Sequence, residues 1–186
     1  MSARTGRPEI PATSGAELIH DAAAVGRAFD AMAAAVDAEL AGADCLAVVL
    51  LQGGIVPAGN LLPRLRSPLE LDSVQLTRYR NTTRGGAIEW RQWLATPVAG
   101  RTVLLIDDIL DEGHSLAAVA ARCHAEGAAR VLTAVLVDKR HGRKSPDIRA
   151  EFVGLEVDDR YVFGFGMDYL GWHRNAPGIF AVVEDS

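Results

Sequence analysis

Long apolar runs alternate with stretches of helical spacing along this 186-residue chain. Residues 45–51 are apolar throughout, residues 103–106 likewise, and the run 131–137 is interrupted only by Thr133. Strands buried on both faces read as continuous runs of this kind. Residues 69–76 alternate, the pattern of a strand with one face exposed, and 152–157 and 161–165 are shorter candidate strands. Residues 16–41 are alanine-rich, with Leu18, Ile19, Val25, Phe29, Met32, Val36 and Leu40 near helical spacing; Gly26 is a point where this helix can divide. A second helix is expected over 56–64, after the tight turn Gln52-Gly53-Gly54, and a third over 114–126, ended by Gly127. Residues 78–93 are polar and arginine-rich with no period, and 138–150 form a basic connection. Strand and helix in alternation predict an α/β fold, a doubly wound, mostly parallel sheet. Residues 1–14, polar with Pro8 and Pro11, are expected to be a flexible arm, and 15–186 a single domain.

Composition narrows the function classes. Hydrophobic residues make up 49%, enough for a full core, and 19 basic against 24 acidic residues leave a net charge of −5. That balance argues against a general nucleic-acid binder. No apolar run approaches the length of a membrane span, and the polar start has no signal-peptide core, so a cytoplasmic protein without membrane contact is expected. Cys45 and Cys123 lie far apart in apolar contexts, which suits core packing in a reducing compartment. Asn81-Thr82-Thr83 has the form of a glycosylation acceptor, a chance match without secretion.

The chemistry concentrates in Val103-Leu104-Leu105-Ile106-Asp107-Asp108-Ile109-Leu110-Asp111-Glu112-Gly113-His114-Ser115. An apolar strand runs into paired carboxylates, then a third carboxylate, a glycine and a hydroxyl at a helix start. The carboxyl end of a parallel strand is where α/β proteins place ligands, and a helix start with free N–H groups cradles phosphate. Three carboxylates beside such a cradle would repel a bare phosphate, but they suit ribose hydroxyls or magnesium. A lone Asp before a helix is usually just a cap. The whole string D-D-x-x-D-x-G-x-S resembles the phosphoribosyl-pyrophosphate motif of the type I phosphoribosyltransferases.

That resemblance implies roles for particular residues. Asp107 and Asp108 would hold the ribose hydroxyls, and the segment Asp111, Glu112, Gly113, His114 and Ser115 would hold the 5′-phosphate. Glu112 stands where the family usually has threonine, so its side chain is expected to face away and leave its N–H to the phosphate. Lys139 ends an apolar strand, where a lysine alone is usually a solvated charge. With Tyr161-Val162-Phe163-Gly164-Phe165-Gly166-Met167-Asp168-Tyr169 downstream, it resembles the base-binding lysine of the hypoxanthine-guanine phosphoribosyltransferases. Lys139 would then donate to the 6-oxo oxygen, Tyr161 stack on the ring and Val162 offer its backbone to the base edge. Asp168 would bind magnesium and help read the base; Asp107 and Asp108 are further candidate ligands. A flat aromatic face suits stacking, and a cationic donor prefers an oxo to an amino group.

Gln52-Gly53-Gly54 resembles the family's pyrophosphate loop with its non-proline cis peptide; Gln52 replaces a frequent lysine, leaving backbone groups and Gly53 to grip pyrophosphate. Arg174 would contact pyrophosphate too. Arg78-Tyr79 and the residues after it resemble the mobile loop that closes over the site and excludes water. The resemblance covers about residues 16–183. It implies a hood built from both chain ends, magnesium as cofactor and a homodimer or homotetramer. The reaction implied is transfer of 5-phosphoribosyl from phosphoribosyl pyrophosphate to a 6-oxopurine base, hypoxanthine and also guanine, giving the nucleotide product, with Asp111 as general base at N7. An RNA-binding attenuator on the same fold, or a xanthine- or pyrimidine-preferring transferase, remains as an alternative.

Overall fold

Strand β5 (Thr102–Leu110) is the axis of the molecule, flanked in parallel by β2 (Cys45–Leu51) and β6 (Arg130–Arg140). The computed structural model describes residues 15–78 and 88–183. β3 (Glu70–Arg78) and β7 (Phe152–Asp158) extend the sheet in parallel, and β4 (Ile88–Gln92) closes one edge antiparallel, in the order β4-β3-β2-β5-β6-β7. Helices α1 (Ala22–Leu40) and α2 (Ile55–Leu61), the latter running into a 3-10 turn at Leu62–Arg64, cover one face, and α3 (His114–Ala125) covers the other. Because successive strand residues point to opposite faces, Leu104 and Ile106 join the core under α1, whereas Val103 and Leu105 join Leu116, Val119 and Cys123 of α3. Burial on both faces explains the unbroken apolar runs. Cys45 and Cys123 are free and buried, and burial pushes both thiols up to about 11. Among the described residues no helix is long and apolar enough to cross a membrane.

A second, three-stranded sheet forms the hood: β1 (Ala16–Asp21), β9 (Gly178–Val182) and β8 (Val162–Phe163), all antiparallel, with β9 in the middle. The expected helix over 16–41 is therefore a strand followed by a helix. Asp21 divides them, its carboxylate accepting the Ala24 N–H at 2.7 Å as an N-cap. Gly26 does not divide α1. The strand expected over 161–165 is only two residues long, because Gly164 turns the chain away at φ +100. β5 and β6 outrun their apolar cores, so Asp107, Asp108 and Lys139 lie within strands rather than in the turns beyond them. β4 emerges from the segment without a period, its Trp90 paired with Leu76. Arg78 ends β3, whereas Tyr79 and Asn81-Thr82-Thr83 fall, like the arm 1–14, outside the described residues.

A Cβ at Gly164 would stand 1.9 Å from the Gly178 carbonyl oxygen, at a φ that side chains rarely adopt. Gly164→Ala is expected to destabilise the protein by at least about 1–3 kcal/mol, the scale of a strained backbone position. A thermal melt within a degree of the parent would show that the hood turn yields freely.

Candidate active site

The carboxyl ends of β2, β5 and β6 open into a cleft of about 600 Å³ roofed by the hood. Its walls carry Gln52 and Gly53 after β2, Asp108 and Asp111 at the end of β5, and Ser115 at the start of α3; Lys139 comes from β6, and Tyr161, Val162, Asp168 and Arg174 from the hood side. Ligands bind at this edge of parallel sheets because loops diverge there on either side of a switch in strand order.

The phosphate-side loop is shaped by Gly113, at φ +79 directly before α3. Among the described residues no side chain caps this helix start, so its first N–H groups are free to cradle an anion. A Cβ on Gly113 would meet Ile148 at 2.5 Å, and Ser145 N–H donates to the Glu112 carbonyl at 2.8 Å. The β6–β7 connection thus braces the loop from below. Glu112 and His114 do not line the cleft; the Glu112 carboxylate lies 3.6 Å from His114 Nε2.

Asp108 is buried against the β2 turn. A Cβ on Gly53 would stand 2.1 Å from Asp108 Oδ2, so only a glycine lets the two segments meet. The turn includes a cis peptide between Leu51 and Gln52. Asp107 is the adjacent strand residue, facing the other way, and does not line the cleft. Asp108 N–H donates to Asp107 Oδ1 at 2.9 Å, and Ile109 N–H to Asp108 Oδ1 at 2.8 Å. Burial, and then the neighbouring Asp108 charge, push the Asp107 carboxyl well above its ordinary range; burial also raises Asp108. Two carboxylates in such surroundings favour a ligand that brings hydroxyl donors or a cation.

Arg174 supplies a cation beside Asp108. Its guanidinium reaches Asp168 Oδ1 at 2.5 Å, donates to the Gly166 carbonyl at 2.6 Å and lies 3.6 Å from Asp108 Oδ2. Asp168 also accepts the Gly171 N–H at 2.7 Å. Among the described residues no three acidic, His or Cys side chains converge to cage a metal unaided. One or two carboxylates with phosphate oxygens are the usual magnesium setting, and the all-oxygen donors Asp108 and Asp168 in the cleft fit that description.

On the other side of the cleft Lys139 meets Asp111. In the β5–β6 register Leu110 pairs with Asp138, which sets the two next residues level. Lys139 Nζ donates to Asp111 Oδ2 at 2.7 Å, and His141 Nε2 is 2.6 Å from Oδ1. Burial alone would push the Asp111 carboxyl up; the bonds from Lys139 and His141 overcome it and hold the carboxyl below its ordinary range. The sequence reading passed over His141. A signal was present: it stands two residues after Lys139, the spacing of one strand face. Lys139 itself is buried, and its neighbour Asp138 pairs with Lys144. Tyr161 stands 48% exposed beside the cleft, its ring edge-to-face with Tyr169 at 5.6 Å. It is no core aromatic.

Comparisons with known proteins agree with this geometry. The sequence model of the phosphoribosyl transferase domain matches residues 15–171. A hypoxanthine-guanine phosphoribosyltransferase of Bacillus subtilis is 36% identical over 135 residues, which span 72% of this chain and 74% of that protein. One from Streptococcus agalactiae is 30% identical over 155 residues, 83% of this chain and 86% of the relative. The crystal structure of a hypoxanthine phosphoribosyltransferase from Staphylococcus aureus superposes with a TM-score of 0.84, covering 90% of this chain and 91% of that one; at 24% identity the likeness is one of fold. An α/β sheet ending in a glycine loop at a helix start and roofed by a hood, with relatives of this kind, makes the chain an enzyme of the phosphoribosyltransferase family, akin to the bacterial hypoxanthine-guanine phosphoribosyltransferases.

Proposed function

We propose that the enzyme transfers the 5-phosphoribosyl group of phosphoribosyl pyrophosphate to hypoxanthine, and also to guanine, releasing pyrophosphate and the purine nucleotide in purine salvage. The observation that carries this reading is the meeting of the phosphate loop with Lys139, Tyr161 and Val162 across one cleft. The uncapped start of α3, with N–H groups from Asp111 to Ser115 and the Ser115 hydroxyl, receives the 5′-phosphate. Asp108, with Asp107 behind it, accepts from the ribose hydroxyls. Gln52, Gly53 and Arg174 lie on the side assigned to pyrophosphate. Asp108 and Asp168 offer oxygen donors in the cleft suited to magnesium, which when bound would neutralise charge building on the departing pyrophosphate, whereas Asp107, the other candidate ligand, faces away from the cleft.

The purine lies against Tyr161. Lys139, which can only donate, reads the 6-oxo oxygen, and the Val162 backbone reads the base edge. Asp111 takes the proton from N7 as the ring's far nitrogen bonds to the ribose carbon and pyrophosphate leaves.

A panel of bases tests the assignment. With phosphoribosyl pyrophosphate and magnesium, hypoxanthine and guanine are expected to be good substrates, and adenine and uracil poor. Preferential use of uracil or adenine would overturn the purine reading and leave phosphoribosyl transfer standing.

A further inference from the structure

His141, which has no part in the proposed base binding, meets Asp111 from the side opposite Lys139. Its side chain is 3% exposed, although it sits at the edge of a polar cleft. The Arg143 N–H donates to Nδ1 at 3.0 Å. An imidazole nitrogen that accepts carries no proton, so the ring's proton is on Nε2. That proton points at Asp111 Oδ1, 2.6 Å away. The other carboxylate oxygen, Oδ2, takes Lys139. Asp111 is thus held from two sides by groups of different mobility. Lys139 is a flexible amine on a four-carbon stem; His141 is a planar ring fixed by burial and by a backbone donor.

We propose that His141 is a positioning residue: its Nε2–H anchors Asp111 so that Lys139 can turn from the carboxylate to the base without setting the carboxylate loose. The proposal rests on the reading above, in which Lys139 meets the 6-oxo oxygen and Asp111 meets N7. On that reading Lys139 cannot give Asp111 its full attention and serve the base as well. Each partner that leaves the carboxylate also removes part of what holds it in its weakly basic state. Lys139 therefore relaxes Asp111 toward a better proton acceptor at the moment the correct base arrives, and His141 keeps its geometry through that exchange. Recognition of the oxo group and readiness of the general base become one event, which a 6-amino base does not trigger.

The test compares three substitutions at His141 with Asp111→Asn in the intact enzyme. His141→Phe keeps a buried ring and loses the donor. His141→Leu is a smaller donorless variant that serves if the phenylalanine variant does not fold. His141→Gln places an amide N–H near where Nε2 stood. The donorless variants are expected to lose kcat by about 10- to 100-fold, the scale of a misplacement of about 1 Å at a reacting group. KM for phosphoribosyl pyrophosphate should stay near the parent value, because the phosphate cradle and Asp108 are untouched. Glutamine should recover most of kcat. A brace for the fold alone would lower thermal stability in all three variants and would not separate glutamine from phenylalanine or leucine. Parent-like kcat in a donorless variant, or a glutamine variant as impaired as the donorless ones, would overturn the proposal. If Asp111→Asn is impaired while the His141 variants are not, this inference alone fails; if Asp111→Asn turns over normally, the general-base reading fails and carries this one with it.

Discussion

Asp111→Asn is expected to lower kcat by about 10- to 1000-fold, since general acid–base catalysis is worth up to ~10⁴. The amide keeps one acceptor oxygen but loses the charge that, on the proposed reading, receives the purine's proton. It also offers Lys139 Nζ and His141 Nε2 a group with a single acceptor, where the carboxylate now serves both at 2.7 and 2.6 Å. Binding of phosphoribosyl pyrophosphate should change little, because Asp108, the Gly53 turn and the start of α3 remain. Steady-state kinetics beside an equilibrium titration with phosphoribosyl pyrophosphate separates the two effects. Unchanged turnover removes Asp111 from the chemistry; a large loss of affinity places it on the ribose-phosphate side instead.

Lys139→Met is expected to cost roughly 1.5–3 kcal/mol in kcat/KM for hypoxanthine, the range for a hydrogen bond to a charged group, or about 10- to 150-fold. Methionine fills the space of the buried stem but cannot donate. Asp138 cannot substitute, since a carboxylate would repel the oxo oxygen, and it is engaged with Lys144. Adenine should remain a poor substrate in parent and variant alike, because the backbone beside Val162 still matches a 6-oxopurine edge. The measurement is kcat/KM for both bases in both proteins. A parent enzyme that uses adenine as readily as hypoxanthine would sink the base assignment, as would a methionine variant with undiminished hypoxanthine use.

Much of this architecture was legible in the sequence for a physical reason. Strands 45–51, 103–106 and 131–137 are buried on both faces, and only continuous apolar runs satisfy that environment. The loop between β5 and α3 was legible because its strand, carboxylates, glycine at positive φ and helix start follow one another in sequence. What escaped depended on distant partners. Residues 16–21 are a strand because β9 pairs with them, and nothing in their alanine-rich neighbourhood announces a partner some 160 residues away; local spacing favoured a helix. β4 is a strand because β3 offers it an edge. Asp107, Asp108 and Lys139 looked like turn residues because polar side chains end apolar runs, whereas in the fold the strand ladder continues past the core into the cleft. His141 escaped because a single histidine in a basic connection looks like solvated surface until Asp111 is seen opposite it.

The central strand of the hood, β9, follows the β5 loop, Lys139 and Tyr161 along the chain, and among the described residues neither β1 nor β8 pairs with another strand. Domains begin folding from the amino terminus during synthesis, at about 5–20 residues per second. The phosphate loop, Lys139 and Asp111 are all translated before residue 142, yet the wall carrying Tyr161 and Val162 gains its backing only when residues 178–182 arrive, with Val162 against Ala181. A growing chain can therefore assemble the loop between β5 and α3 well before the proposed base site is complete. A chain cut before residue 178 would keep the strand–loop–helix motif but lack the strand that backs Val162, so on the proposed reading the base site is completed only once β9 has been made.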